Sequence, residues 1–299
     1  MTKSRMDSIL ATVVVAILIQ CLDCRADSAI NSIHFELGVY NFQIKDWGSA
    51  IREFSEVIYL EPTNFLALDY RGNAFWMNGN LDMATLDFDV ALANNPKDEL
   101  AAFNLATVYR ARGRFERSLS CWNEYMRLNP TNAAAYKSRA SVYNALDQFE
   151  DAIKDWNEGL RLGATDATAF TMRGYSYFKV GQFDKADHDF IEAVQLEPTN
   201  GIALNNLAWF RATCPAATYR NGKEAIEVAT KACELAKWTR WEWVDTLAAA
   251  HAEAGQFDKA VSFEKQAILM AGEHEKDLQT MQDCLKLYEK RKPDHEGQK

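Results

Sequence analysis

Proline and glycine are scarce in this chain, with 6 and 14 among 299 residues. An all-β domain or a linker-rich chain needs more turn formers than that. Positive charge is also short: 33 Lys and Arg stand against 42 Asp and Glu, a formal charge of −9. No run of Lys and Arg is long enough to follow a phosphate backbone, which argues against nucleic acid as a partner. There is no Gly-rich phosphate loop, nucleophile elbow or zinc-protease helix. The five histidines (His34, His188, His251, His274 and His295) are scattered and never spaced with Cys or Asp as metal ligands are. The expectation is a chain with no metal, no cofactor and no enzymatic chemistry. A hydrolase is the outlying alternative, because two carboxylates facing each other across a cleft leave no sequence signature.

Long apolar runs are confined to the start. MTKSR supplies positive charge, Ile9 to Ile19 (ILATVVVAILI) is uncharged, and Cys24-Arg25-Ala26 places small residues at −3 and −1 of a cleavage point. This is the layout of a secretory signal peptide over residues 1–26. A spanning anchor needs about 20 apolar residues, and here Asp7 and Asp23 intrude. The chain is expected to be exported, periplasmic or secreted, with anchoring through residues 9–22 as the rival reading.

Past residue 30 the sequence repeats itself every 34 positions. One series runs Pro62, Pro96, Pro130, Ala164, Pro198, and two residues further on stand Asn64, Asp98, Asn132, Asp166 and Asn200. Small residues recur at Gly38, Gly72, Ala106, Ala140 and Gly174, and again at Ala50, Ala84, Ser118, Ala152 and Ala186. A large aromatic follows four later at Phe54, Phe88, Trp122, Trp156 and Phe190. Each unit reads as two antiparallel helices. FLALDYRGNAFWMNGN is the first, closed by Gly79; LDMATLDFDVALANNP is the second, ended by a proline that cannot continue it. Asn or Asp beyond the proline suits the cap of the next helix. Gly72 and Ala84 admit close backbone approach, with Phe75, Leu81 and Phe88 filling the space around it. One hairpin cannot bury its apolar face alone, so neighbours must stack on it.

FLALDYRGNAFWMNGNLDMATLDFDVALANNPKD resembles the tetratricopeptide repeat, with that family's Gly, aromatic, Ala, Phe, Ala and Pro positions at Gly72, Phe75, Ala84, Phe88, Ala91 and Pro96. Five regular units cover 31–64, 65–98, 99–132, 133–166 and 167–200. Asn41 stands where an aromatic is usual, and Gly159 and Ala164 loosen the fourth unit. The resemblance implies an all-α fold, a right-handed α-solenoid of stacked antiparallel helix hairpins over residues 27–271 with about seven units.

After residue 200 the pattern slips. In regular units 12 positions separate the two small marks, whereas 17 separate Ala208 from Ala225. Five residues have therefore been added to a hairpin turn, and Pro215 marks the stop of the first helix. Cys214 then lies at the end of that helix and Cys233 about ten residues up the next, roughly 15 Å away, too far for a disulfide. The loop reads as an insertion, not a reactive site. A seventh unit follows, with Ala248, Gly255, Phe257 and Ala260 in register. In residues 272–299 a final helix keeps Leu278, Met281, Leu285 and Tyr288 on one face to cover the open end, and a mobile tail follows. The closing module is similar to that of exported bacterial proteins of this type.

In the family, first helices line the inner concave face, where peptides or partner helices lie. The matching positions here are Phe35, Val39, Phe42, Asp69, Asn73, Trp76, Phe103, Thr107, Arg110, Lys137, Ser141, Asn144, Thr171, Tyr175, Phe178, Asn205 and Trp209. The partner-binding set expected from them is Phe42, Asp69, Asn73, Trp76, Phe103, Arg110, Lys137, Tyr175, Phe178 and Trp209. Large aromatics among polar neighbours are the composition of a binding face, although such rings also pack between units. Relatives that grip chaperone C-terminal carboxylates use Lys and Asn, then Asn, then Lys and Arg. Asn73 and Asn104 fit two places, but Asp69, Ala134 and Ser138 stand where the basic residues belong, so that clamp is missing. The expected function is an envelope scaffold with a protein or peptide partner. The alternative is a self-associating subunit, a homo-oligomer docking through its end cap.

Overall fold

The computed structural model describes residues 28–272 and 275–295. The expected leader, 1–26, lies outside them. Helices follow one another with short turns and, among the described residues, no strand. The chain divides between Thr131 and Asn132 into two compact units. In the first, α1 spans residues 28–43, followed by α2 (Trp47–Leu60), α3 (Phe65–Met77), α4 (Leu81–Asn94), α5 (Glu99–Ala111) and α6 (Phe115–Leu128). The second holds α7 (Ala133–Ala145), α8 (Phe149–Arg161), α9 (Ala167–Lys179), α10 (Phe183–Leu196) and α11 (Gly201–Thr213). It continues with α12 (Gly222–Leu235), α13 (Trp241–Glu253), α14 (Phe257–Ala271) and α15 (Glu275–Glu289). No described helix is long and apolar enough to cross a membrane.

The all-α hairpin architecture expected from the 34-residue period is what the chain adopts. Odd and even helices pair as hairpins, and within each unit the second helix of one hairpin packs on the first helix of the next, as α2 on α3, α4 on α5, α8 on α9 and α10 on α11. The Asn/Asp series caps the first helices. Asn64 accepts from the Ala67 N–H, Asp98 from Leu100 and Ala101, Asp166 from Ala169, and Asn200 from Ile202 and Ala203. The small-residue marks lie under the aromatics: a Cβ on Gly72 would come within 2.8 Å of the Phe88 ring, and one on Gly38 within 2.7 Å of Phe54. The first five hairpins also turn through a left-handed residue in a second series of the same period, Lys45, Gly79, Gly113, Asp147 and Gly181.

A further series ties the two helices of a hairpin together. Arg71 makes a two-pronged pair with Asp87 at 2.9 and 2.8 Å, and Arg139 and Arg173 repeat it with Asp155 and Asp189 at 2.6 and 2.7 Å. These carboxylates are buried, and the guanidinium groups lie over Phe75, Tyr143 and Tyr177. Planar bidentate pairing is what makes arginine hard to replace here.

The inserted residues after α11 form a loop with one 3-10 turn (Ala217–Tyr219). Arg220 Nη1 donates to the Cys214 and Pro215 carbonyls at 2.9 and 3.2 Å, and its Nε reaches Glu253 at 3.0 Å. Arg211 Nη1 donates to the Tyr219 carbonyl, and the Tyr219 hydroxyl donates to Asp184. Cys214 is buried with Phe178, Phe190 and Phe210, whereas Cys233 is buried in another cluster with Leu204, Val244 and Leu247. Burial raises both thiols above their ordinary range.

α15 packs on α14 and buries Met281 and Tyr288 as the sequence implied, together with Cys284. The tail expected to be mobile is tied down as far as His295, whose Nε2 lies 2.7 Å from Glu253 Oε2.

Candidate partner-binding face

Within the first unit the expected positions recur along α3 and α5 with a spacing that keeps them on one helical stripe. Trp76 is half-buried against the cluster of Leu68, Phe88 and Leu105. Arg110 is exposed. Phe103 is half-buried, edge-on to Trp122 at 4.9 Å and Tyr125 at 5.5 Å. Phe42 is half-buried, edge-on to Trp47 and Tyr70 at 5.2 and 5.6 Å. Asn73 Nδ2 donates to the Asp69 carbonyl at 2.9 Å, which uses one of its donors inside the helix. Leu66 and Leu100 continue the stripe one turn earlier and are 47% and 52% exposed. Sequence reading passed over them, because a single leucine at a helix start carries no signal of its own.

Asp69 is a correction. It is only 1% exposed, so its carboxyl is not available to a partner. Neither of its oxygens has a donor to accept from, nor has Asp98 Oδ2. Burial first, and the neighbouring Asp98 second, push the Asp69 carboxyl up to about 8. A retained proton resolves the pairing: protonated Asp69 donates to Asp98, whose other oxygen caps α5. Asp69 is thus an internal staple between successive hairpins.

Within the second unit Lys137 is half-buried and paired with Asp166, the residue that caps α9. Tyr175 is half-buried, edge-on to Phe149 at 5.9 Å, with the Lys179 ammonium over its ring. Trp209 is half-buried against Ala212 and Ala249. The Ser176 hydroxyl donates to Asn144 Oδ1 at 2.7 Å, joining α9 to α7. Phe178 is the second correction. It is buried and sits edge-on to Phe210 at 5.8 Å, so its ring belongs to the core. The register that puts it on the groove side also puts it between hairpins, where packing claims it.

Among the described residues no group of three His, Cys, Asp or Glu is placed to hold a metal. His251 is buried, stacked on Phe263 at 5.2 Å, and burial lowers its pKa. An open hollow beside the turns of the first unit is lined by Asn78, Gly79, Asn80, Asp82, Arg112 and Arg114. Its Arg112 is held by Asp82 and Thr85.

The tetratricopeptide repeat model matches residues 103–167 and again 167–200. Residues 103–200 of this chain are tetratricopeptide repeats. Among solved structures, a tetratricopeptide repeat protein from Parabacteroides merdae is 17% identical, with 87% of this chain and 99% of that chain covered and a TM-score of 0.63. The MamA protein is 19% identical over 57% of this chain and 94% of its own, with a TM-score of 0.54. MamA from Desulfovibrio magneticus is 18% identical over 57% and 97%, with a TM-score of 0.55. At these identities the likeness is one of fold. No curated protein matches the chain.

Proposed function

We propose that this chain is a non-enzymatic scaffold that binds a peptide or protein along the faces of its first helices. The observation that carries the reading is the α3–α5 stripe, where exposed Leu66, Leu100 and Arg110 flank half-buried Trp76. Apolar anchors beside a free guanidinium are the composition of a binding hot spot. The surface is rigid, because each hairpin is pinned by its packed aromatics and, in three of them, by the Arg–Asp pair, so little ordering cost is left for the partner to meet. Export to the cell envelope is part of the same proposal and rests on the apolar stretch Ile9 to Ile19 and the small residues before residue 27. Affinity purification with wild type and with a Leu100→Glu, Arg110→Glu variant tests the binding face. A partner retained by wild type and by a Tyr59→Glu control at an exposed position of α2, but lost from the double variant, is the expected result. Equal recovery from all three would reject the stripe. N-terminal sequencing of the chain purified from its host tests export, with a start near residue 27 expected.

A further inference from the structure

One apolar face in the first unit has no cover among the described residues. Ile30, Ile33, Leu37, Tyr40 and Ile44 repeat at alternating spacings of three and four along α1 and its end, and they are 44–59% exposed. That spacing is the seam of a helix that packs lengthwise against another helix. The repeat register says what kind of face this is. Ile33 stands 34 residues before Ala67 and Tyr40 stands 34 before Ala74. Ala67 and Ala74 are fully buried in one cluster with Phe54 and Val57 of α2. Their next counterparts, Ala101 and Val108, are fully buried in one cluster with Phe88 and Ala91 of α4. Both faces are closed by the preceding second helix. On α1 the same positions carry larger apolar side chains and stay open.

The occupant is narrowed by three observations. In most regular units the turn before a first helix is Pro-x-Asn or Pro-x-Asp, as at Pro62, Thr63 and Asn64. The equivalent residues Ser28, Ala29 and Ile30 are helical, so the turn that carries a covering helix in the regular units is replaced here by the first turn of α1. The face at the other end of the repeat is closed by α15, with Met281 and Tyr288 buried, so it offers no matching bare surface. α1 carries no arginine and no lysine before Lys45, which leaves it without the basic flank of a helix that lies on a lipid surface. The bare stripe that matches this one is the same stripe on another molecule. We propose that α1 is a self-association face on which two copies pack antiparallel about a two-fold axis close to Leu37. Five half-exposed side chains offer on the order of 500 Å² per copy, and their flanks bring the contact toward the ~800 Å² a side of a standard interface. An isologous contact of this kind closes at two copies. It is independent of the α3–α5 binding stripe and leaves that stripe's residues untouched.

The test is sedimentation equilibrium on the full chain, comparing wild type, Ile33→Glu with Tyr40→Glu, and Leu269→Glu as an exposed apolar control elsewhere, with far-UV circular dichroism to confirm equal helicity. Wild type and control are expected at twice the mass of the purified chain, and the double variant at a single chain mass. A Leu37→Cys variant is expected to crosslink to its own copy on oxidation well beyond the wild-type background, because a residue on the axis meets itself. A wild-type mass of one chain, or a larger mass that the double variant keeps, overturns the proposal. Flotation of single-mass protein with anionic lipid vesicles, lost in the double variant, overturns it in favour of a membrane face.

Discussion

Replacing Asp69 by asparagine should make the chain more stable, by an amount that depends on pH. Asp69 is held up to about 8 by burial and by Asp98, while an unfolded aspartate titrates near 4. Between those values the folded chain keeps a proton that the unfolded chain releases. Stability from this group is therefore fully present below pH ~4, declines as pH rises, and levels off above about 8. At about 1.4 kcal/mol per pH unit, the loss across the window is at most about 5 kcal/mol. Asparagine does not titrate, and its amide can donate to Asp98 as the protonated carboxyl does. Asp69→Asn should match wild type at pH 4 and exceed it by roughly 2–4 kcal/mol at pH 8. Urea unfolding followed by tryptophan fluorescence at pH 4, 6 and 8 reads this as a midpoint gap that widens with pH, to about 1 M or more at the upper end. A gap that is constant with pH, or a variant less stable than wild type at pH 8, would refute the shared-proton reading.

The other expectations are simpler. Gly72→Ala puts a methyl within 2.8 Å of Phe88 and should cost about 1–3 kcal/mol despite the better helix propensity of alanine, measured by thermal melting. Arg173→Ala leaves the buried Asp189 without its partner, so a loss of about 3–5 kcal/mol is expected; Arg173→Lys should recover only part of it. Asp147 has a φ of 55° in a series otherwise mostly glycine, so Asp147→Gly should raise stability by up to about 1 kcal/mol. Glu264 is fully buried beside Asp245 and pushed up to about 10; Glu264→Gln should flatten the decline in stability as pH rises from 4 to 8, read by the same urea series.

The fold was legible because its determinants are local and repeated. A proline, a cap two residues later and a small residue under an aromatic each mark a fixed point of the hairpin, and five copies make every mark visible. The slip to 17 positions between Ala208 and Ala225 located the inserted loop, and the loop's role as a pinned connection follows from Arg211 and Arg220. Arginine and aspartate 16 residues apart, at Arg71, Arg139 and Arg173, could have been read from the same period, but charged residues read as solvated until a partner is seen. The binding stripe was harder. Phe178 and Asp69 share its register with Trp76 and Arg110, and only packing separates residues that face outward from those that hold adjacent hairpins together. The open stripe on α1 was invisible for a related reason: an Ile or Tyr on a helix reads as core until the missing neighbour is noticed.

Whether the first-helix stripe receives a partner is tested most directly by placing a photoreactive benzoylphenylalanine at Arg110 and, separately, at exposed Tyr59 on the second helix α2, and irradiating cells of the native host. A single protein adduct from position 110 that is absent from position 59 and lost with Leu100→Glu is the expected result. No adduct at 110, or the same adducts from both positions, would contradict it.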